Sequence, residues 1–166
     1  MICYEHPPVG GGGGRVASQI AQALAKRGHE VGYLTGNVGK RGKELLPTEE
    51  VIDGVRVWRV ATNRRTVDTC SVPEMFFYLV YSLFPAIQRI RAWKPDIVHA
   101  HFAVPSGAVA FAAAVFSRVP YVLTVHLGDV PGGVPEQTDK LFRFLKPFTV
   151  PIWRCAKGVT AVSSYV

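Results

Sequence analysis

Two neighbouring apolar runs in this chain end in residues that can do chemistry. Pro95-Asp96-Ile97-Val98-His99-Ala100-His101 carries two histidines at i, i+2, so both project to one face of a strand. Tyr121-Val122-Leu123-Thr124-Val125-His126 ends in a third, with Gly128 and Asp129 just beyond. A neutral imidazole at such a position can hydrogen-bond a hydroxyl or stabilise charge. Upstream, Gly10 to Gly14 are five consecutive glycines followed by Arg15. Backbone without side chains can approach an anion closely, and a helix beginning there would offer free N–H groups and a positive dipole end. Phosphate or pyrophosphate is the natural ligand, and Arg15 adds a full charge. Three histidines and an aspartate are also metal-ligating types, but their spacing fits no zinc pattern, and no metal is expected. His99 follows a buried run and reads as a structural, hydrogen-bonded residue. His126 reads as the functional one.

These groups can meet only if the elements carrying them line up. Apolar runs recur at Ile2–Tyr4, Val31–Thr35, Val55–Val60, Ile97–Ala100, Tyr121–Val125 and Val159–Val162, most of them bounded by Gly, Pro or Asp. Near-continuous runs of this length suit strands buried on both faces of a parallel sheet. Helical patterns lie between them. Val16, Ile20 and Leu24 recur from Arg15 onward, and Gly28 stands where the helix would end. Glu74–Trp93 is a second helix, with Pro85 expected to break or kink it. Ser106–Ser117 is an Ala-rich third, and Thr138–Cys155 is interrupted by Pro147 and Pro151. Gly36–Glu50, polar and charged, reads as an exposed loop. The alternation predicts an α/β, Rossmann-like, doubly wound and mostly parallel sheet with helices on both faces. In such sheets ligands bind outside the carboxyl ends of the strands, so the glycine run and the histidines converge on one edge.

The 166 residues amount to one domain. Lys plus Arg exceeds Asp plus Glu by 19 to 12, a formal charge of +7 that favours an anionic partner. The basic residues are scattered and no recognition motif accompanies them, so nucleic acid is not expected. Cys3, Cys70 and Cys155 form no CxxC pair, which argues against a disulfide framework. There is no secretory n-region or h-region at the start, and the longest charge-free apolar stretch, Met75–Ile87, is shorter than the roughly 20 residues a bilayer span needs. A cytoplasmic protein is expected. Met75–Phe84 followed by Arg89, Arg91 and Lys94, and again Lys140–Phe148, set aromatic residues beside cations. Two readings stay open for both segments, peripheral contact with an anionic membrane on its cytoplasmic face or packing inside the protein and against a further domain. Gly12-x-Gly14-x-x-Ala17 formally matches the dinucleotide fingerprint, but Glu5-His6-Pro7-Pro8-Val9 separates strand from glycines, and Thr35-Gly36-Asn37 stands where a ribose-binding acid is needed.

Pro7-Pro8-Val9-Gly10-Gly11-Gly12, Leu24-Ala25-Lys26-Arg27-Gly28-His29-Glu30-Val31, Pro95 to His101, Thr124-Val125-His126 and Val159-Thr160-Ala161-Val162-Ser163 occur in this order and spacing. Together they resemble the N-terminal half of a family 4 retaining glycosyltransferase of the two-domain GT-B type, over nearly the whole chain. The resemblance implies that residues 1–166 form the acceptor-side domain and that a donor-binding domain lies beyond them. It implies a UDP- or GDP-linked nucleotide sugar as donor, no metal, and an acceptor that is a sugar, a lipid or a small metabolite. It sets Gly11, Gly12 and Gly13 against the donor diphosphate, His126 near the reacting sugar, and His101, Asp129 and Arg15 toward the acceptor. Without its partner domain the chain is expected to be inactive. The other reading is a non-catalytic, Rossmann-like module for a phosphate or a nucleotide.

Overall fold

The computed structural model describes residues 1–40, 42–129, 147 and 149–163. Among these, in chain order, lie α1 (Gly12–Lys26), β1 (Val31–Lys40), β2 (Lys43–Glu44), β3 (Glu49–Ile52), β4 (Val55–Arg64), α2 (Val72–Trp93), β5 (Val98–His101), α3 (Ala108–Ser117), β6 (Tyr121–Val125) and β7 (Gly158–Ala161). β1 pairs in parallel with β4, from Val31 opposite Val55 to Gly36 opposite Val60. β3 closes the outer edge of β4 antiparallel, and β2 folds back on the end of β1. β5, β6 and β7 form a second parallel set.

The N-terminal residues join the two sets. Ile2 N–H donates to His99 O at 2.8 Å and Ile2 O accepts from His101 N–H at 3.0 Å. On the other side, Leu34 N–H reaches Met1 O at 2.9 Å and Cys3 N–H reaches Leu34 O at 3.1 Å. The expected first strand, Ile2–Tyr4, is thus a short bridge, parallel to both neighbours. Read across, the order is β3, β4, β1, the bridge, β5, β6, β7. Among the described residues only β2 and β3 run antiparallel, so the expected mostly parallel, doubly wound architecture is present.

Alternation along the strands divides the core between two faces. Cys3, Val31, Tyr33, Val55 and Val57 pack with Ala17 and Ala21 of α1. Ile2, Leu34, Trp58, Ala100 and Leu123 pack on the other face with Tyr78, Ala86 and Ile90 of α2 and Val109 and Ala113 of α3. α2 begins at Ser71, whose N–H and hydroxyl both donate to the Glu74 carboxylate at 2.7 Å, a capping box. It ends at Lys94 in the left-handed region, just before Pro95.

Two expectations need correction, and a third falls mostly outside the described residues. Gly36–Glu50 is not an exposed loop throughout, because β1 continues to Lys40 and stays buried through Val38. Asn37 makes this possible. Its amide donates to Leu46 O and accepts from the N–H of Val38 and of Leu46, while its backbone O accepts from Thr62 Oγ1. Pro85 does not end α2, which runs to Trp93. The expected helix Thr138–Cys155 lies mostly outside the described residues, within which 149–154 are helical.

Candidate functional site

α1 begins inside the glycine run rather than after it. Gly11 is its N-cap, and Gly12, Gly13 and Gly14 are its first turn. The N–H groups of a first turn have no partner within the helix. Arg15 N–H is the first to close back, onto Gly11 O at 3.3 Å. Gly10, at φ +97°, turns the chain into the helix and donates its N–H to Val67 O at 2.7 Å. The glycines then differ in what surrounds them. A Cβ on Gly14 would come within 2.8 Å of Glu5 Cβ. On Gly13 it would overlap the Phe102 ring and lie 3.2 Å from His126 Nδ1. On Gly11 or Gly12 it would meet nothing within 4 Å. These two exposed glycines are the part of the run open to a ligand, and Arg15, also exposed, follows them on the helix.

Beneath the helix start sits a buried ion pair. Glu5 accepts the Gly11 N–H at 3.0 Å through Oε2, and its Oε1 lies 3.7 Å from Arg64 Nη2. Arg64 is almost wholly buried and also donates to the carbonyls of Thr66, Val67 and Thr69. One guanidinium therefore organises the 66–69 turn on which Gly10 leans, and holds the carboxylate that orients Gly11.

The histidines assemble at the carboxyl ends of β5 and β6. His126 packs its ring against Phe102, with centroids 4.2 Å apart and planes 23° apart. Phe102 holds φ +70°, a conformation costly for a bulky side chain and one that clusters at functional sites. His126 Nε2 lies 3.2 Å from His101 Nδ1, so its other ring nitrogen, Nδ1, is the one that faces Gly13. Asp129 braces the same loop: Oδ2 accepts the His126 N–H at 2.9 Å and Oδ1 the Ala103 N–H at 2.8 Å. His99 Nε2 contacts Thr124 Oγ1 at 2.7 Å, and Thr124 continues to Thr160 Oγ1 at 2.8 Å. That is the structural role read from its position.

Burial sets the protonation of this cluster. It pulls His99 down to about 4 and His101 further down, the latter also disfavoured by the neighbouring His99 and His126. Burial lowers His126 as well. All three are neutral at pH 7, each with one N–H and one lone pair to offer. Asp129 goes the other way, raised by burial to about 6 against the N–H groups that favour its carboxylate.

Of the residues singled out in the sequence, Gly13, His126, His101 and Asp129 come together, with Gly11 and Gly12 beside them. His101 is fully buried behind His126, and Asp129 is buried beneath the loop. Neither is placed to face an acceptor directly: His101 turns Nδ1 to His126 while its Nε2 is buried without a partner, and Asp129 spends both carboxylate oxygens on the N–H groups of Ala103 and His126. Arg15 makes no ion pair among the described residues. Sequence reasoning missed Glu5, Arg64 and Phe102. A carboxylate five residues before a glycine run was a usable signal for Glu5, whereas Arg64 and Phe102 declare themselves only through burial and backbone angle.

The profile of Glycosyltransferase Family 4 matches residues 10–166. The chain is 34% identical over 137 residues to a glycogen synthase of Mycobacterium tuberculosis, covering 76% of this chain and 32% of that enzyme. It is 28% identical over 147 residues to the N-acetyl-alpha-D-glucosaminyl L-malate synthase of Bacillus anthracis, covering 87% and 35%. It therefore spans about a third of the length of these relatives. Among solved structures, a sucrose-phosphate synthase from Thermosynechococcus elongatus superposes with a TM-score of 0.56 at 14% identity, over 89% of this chain and 83% of that one. This last likeness is one of fold.

Proposed function

The chain belongs to glycosyltransferase family 4, and from that membership we propose that it is the acceptor-side half of an enzyme that transfers a sugar, with retention, from a UDP- or GDP-linked donor. A departing nucleoside diphosphate is an anion. Oriented N–H groups that need no reorganisation stabilise such a charge as it develops. The first-turn N–H groups of α1 that follow Gly11, whose own N–H is held by Glu5, supply this beside the open Gly11 and Gly12 from one wall of the cleft, with Arg15 following. The rest comes from a second α/β domain across it, without a metal.

His126 is the group beside the reacting sugar. With Nε2 engaged by His101, its Nδ1 turns toward Gly13, where a neutral imidazole hydrogen-bonds a donor hydroxyl. His101 and Asp129 act on the reaction through His126, as positioning residues. Arg15 is left to meet the donor diphosphate or the acceptor. The observation carrying this reading is the closeness of Gly13 to His126, whose Nδ1 would lie 3.2 Å from a Cβ added at Gly13; it supports a helix start and an imidazole that share one rim.

His126→Ala in the enzyme with its donor domain lowers kcat while leaving nucleotide affinity nearly unchanged. A wild-type rate would remove His126 from the chemistry. Measurable turnover of UDP-glucose or GDP-mannose by the 166-residue chain alone would overturn the need for a second domain.

A further inference from the structure

α2 is apolar on the side away from the sheet as well as on the side toward it. Its inner face buries Tyr78, Ser82, Ala86 and Ile90. One turn apart along the outer face run Val72, Phe76, Val80 and Phe84, all exposed, with Phe76 at 62% and Phe84 at 71%. The stripe covers twelve residues of rise, about 18 Å, and no charged residue occurs between Met75 and Gln88. A helix that is apolar all round is ordinarily covered on every side.

The stripe leads into cations. Gln88 and Arg91 continue its line, and Lys94 caps the helix. Arg91 Nη2 donates to Phe116 O at 3.2 Å, which brings the end of α3 alongside. There Val115 and Phe116 are exposed and Arg118 follows them. The acids near this face are few. Glu74 is held in the capping box, Glu49 lies 3.9 Å from Arg89, and Asp96 follows the Lys94 cap. Exposed phenylalanines with arginines at one end match a surface that is apolar below and anionic above.

We propose that the outer face of α2, with the end of α3, docks on an anionic lipid surface, Phe76 and Phe84 entering the acyl boundary while Arg91, Lys94 and Arg118 meet headgroup phosphates. Such binding is peripheral, since no helix among the described residues is long and apolar enough to cross a membrane. The inference stands apart from the sugar-transfer reading, which depends on the edge where α1 begins.

The test is co-sedimentation of the 166-residue chain with vesicles of phosphatidylcholine alone or mixed with phosphatidylglycerol. The chain is expected to partition at least ~10-fold more strongly onto the anionic vesicles, and less as salt screens the arginines. Phe76→Ser with Phe84→Ser lowers that partition at least ~10-fold at unchanged circular dichroism and Tm, because two exposed rings no longer leave water. Arg91→Gln with Arg118→Asn, the latter suited to a left-handed cap, weakens binding and flattens its salt dependence. No binding to anionic vesicles at low salt overturns the proposal. So does wild-type binding by the phenylalanine pair, or a dimer by light scattering that the same pair dissolves while vesicles go unbound.

Discussion

Gly12 and Gly13 are adjacent in one helical turn, yet the structure assigns them opposite responses to a methyl group. At Gly12 an added Cβ meets nothing within 4 Å. Alanine there gains helix propensity and reduces the freedom of the unfolded chain, worth up to about 1 kcal/mol. For 166 residues the entropy of unfolding makes 1 kcal/mol about 3 °C of Tm, so Gly12→Ala is expected to raise Tm by about 0–3 °C. At Gly13 the Cβ overlaps the Phe102 ring and crowds His126 Nδ1. Phe102 is already held at φ +70° and stacked on His126, so it has no easy retreat. Overpacking of this kind costs about 1–3 kcal/mol, which lowers Tm by about 3–9 °C. Calorimetry on the chain reads both stabilities, and the enzyme with its donor domain reads function. If Gly12 backbone lies against the donor diphosphate, Gly12→Ala raises KM for the nucleotide sugar about 10-fold or more while the protein becomes no less stable. Gly13→Ala lowers kcat by displacing the imidazole. A Gly12→Ala enzyme with wild-type KM would refute the assignment of the open glycines to the diphosphate, and a Gly13→Ala protein as stable as wild type would refute the packing argument itself.

Two further outcomes follow from buried charge. Arg64→Met leaves the Glu5 carboxylate buried without its cation, a loss of about 3–5 kcal/mol, or about 9–15 °C of Tm. Adding Glu5→Gln returns part of it, and a single variant within 2 °C of wild type would show that neither the ion pair nor the guanidinium's bonds to the 66–69 carbonyls carry that stability. The second outcome is an acid limb in stability. A histidine whose folded pKa is depressed binds fewer protons folded than unfolded, so its contribution is present above about 6.5 and is lost as pH falls toward the folded value. For His99, lowered from 6.5 to about 4, this amounts to about 3 kcal/mol. Asp129, raised from 3.8 to about 6, binds more protons folded than unfolded, and between about pH 4 and 6 it makes stability fall as pH rises, by about the same amount. These two nearly cancel, which leaves His101 and His126, together with the buried Met1 amino group and His6, to carry the net slope. His101→Asn keeps an amide N–H near the place of Nδ1 without titrating. It should flatten the dependence of urea-unfolding free energy on pH between 4 and 6.5, and an unchanged slope would dismiss the buried imidazole as its source.

β6 matches its apolar run residue for residue, and β5 and β7 differ by one or two at their ends. β5 and β6 are mostly buried segments of a parallel sheet, and burial on both faces leaves a signature in composition alone, whereas β7 is read from its apolar run although three of its four residues are exposed. The second half of β1 leaves none. Gly36-Asn37-Val38-Gly39 has the composition of a turn, and it remains a strand because Thr62 and Leu46, distant in sequence, satisfy Asn37. The convergence of the glycine run with His126 was legible for a different reason: the carboxyl edge of a parallel sheet fixes where strand-end residues go. Depth was not. The i, i+2 spacing puts His99 and His101 on one face of β5 whether they lie in the cleft or behind it, and only the packing of Phe102 and His126 over His101 decides.

The glycine run shows how one signal can carry two causes. Three glycines in a first turn are poor helix formers, so tertiary contacts rather than propensity start α1 where it starts. Gly13 and Gly14 are glycine because Phe102, His126 and Glu5 leave no volume for a Cβ, and Gly10 because the chain turns there at φ +97°. These three would be required in a protein that bound nothing. Gly11 and Gly12 have no such reason, since the space beside them is open. On the proposed reading, Gly12 is glycine because a ligand outside the chain approaches its backbone closely. An anion seated on the first-turn N–H groups is the ligand that the local charge and geometry favour.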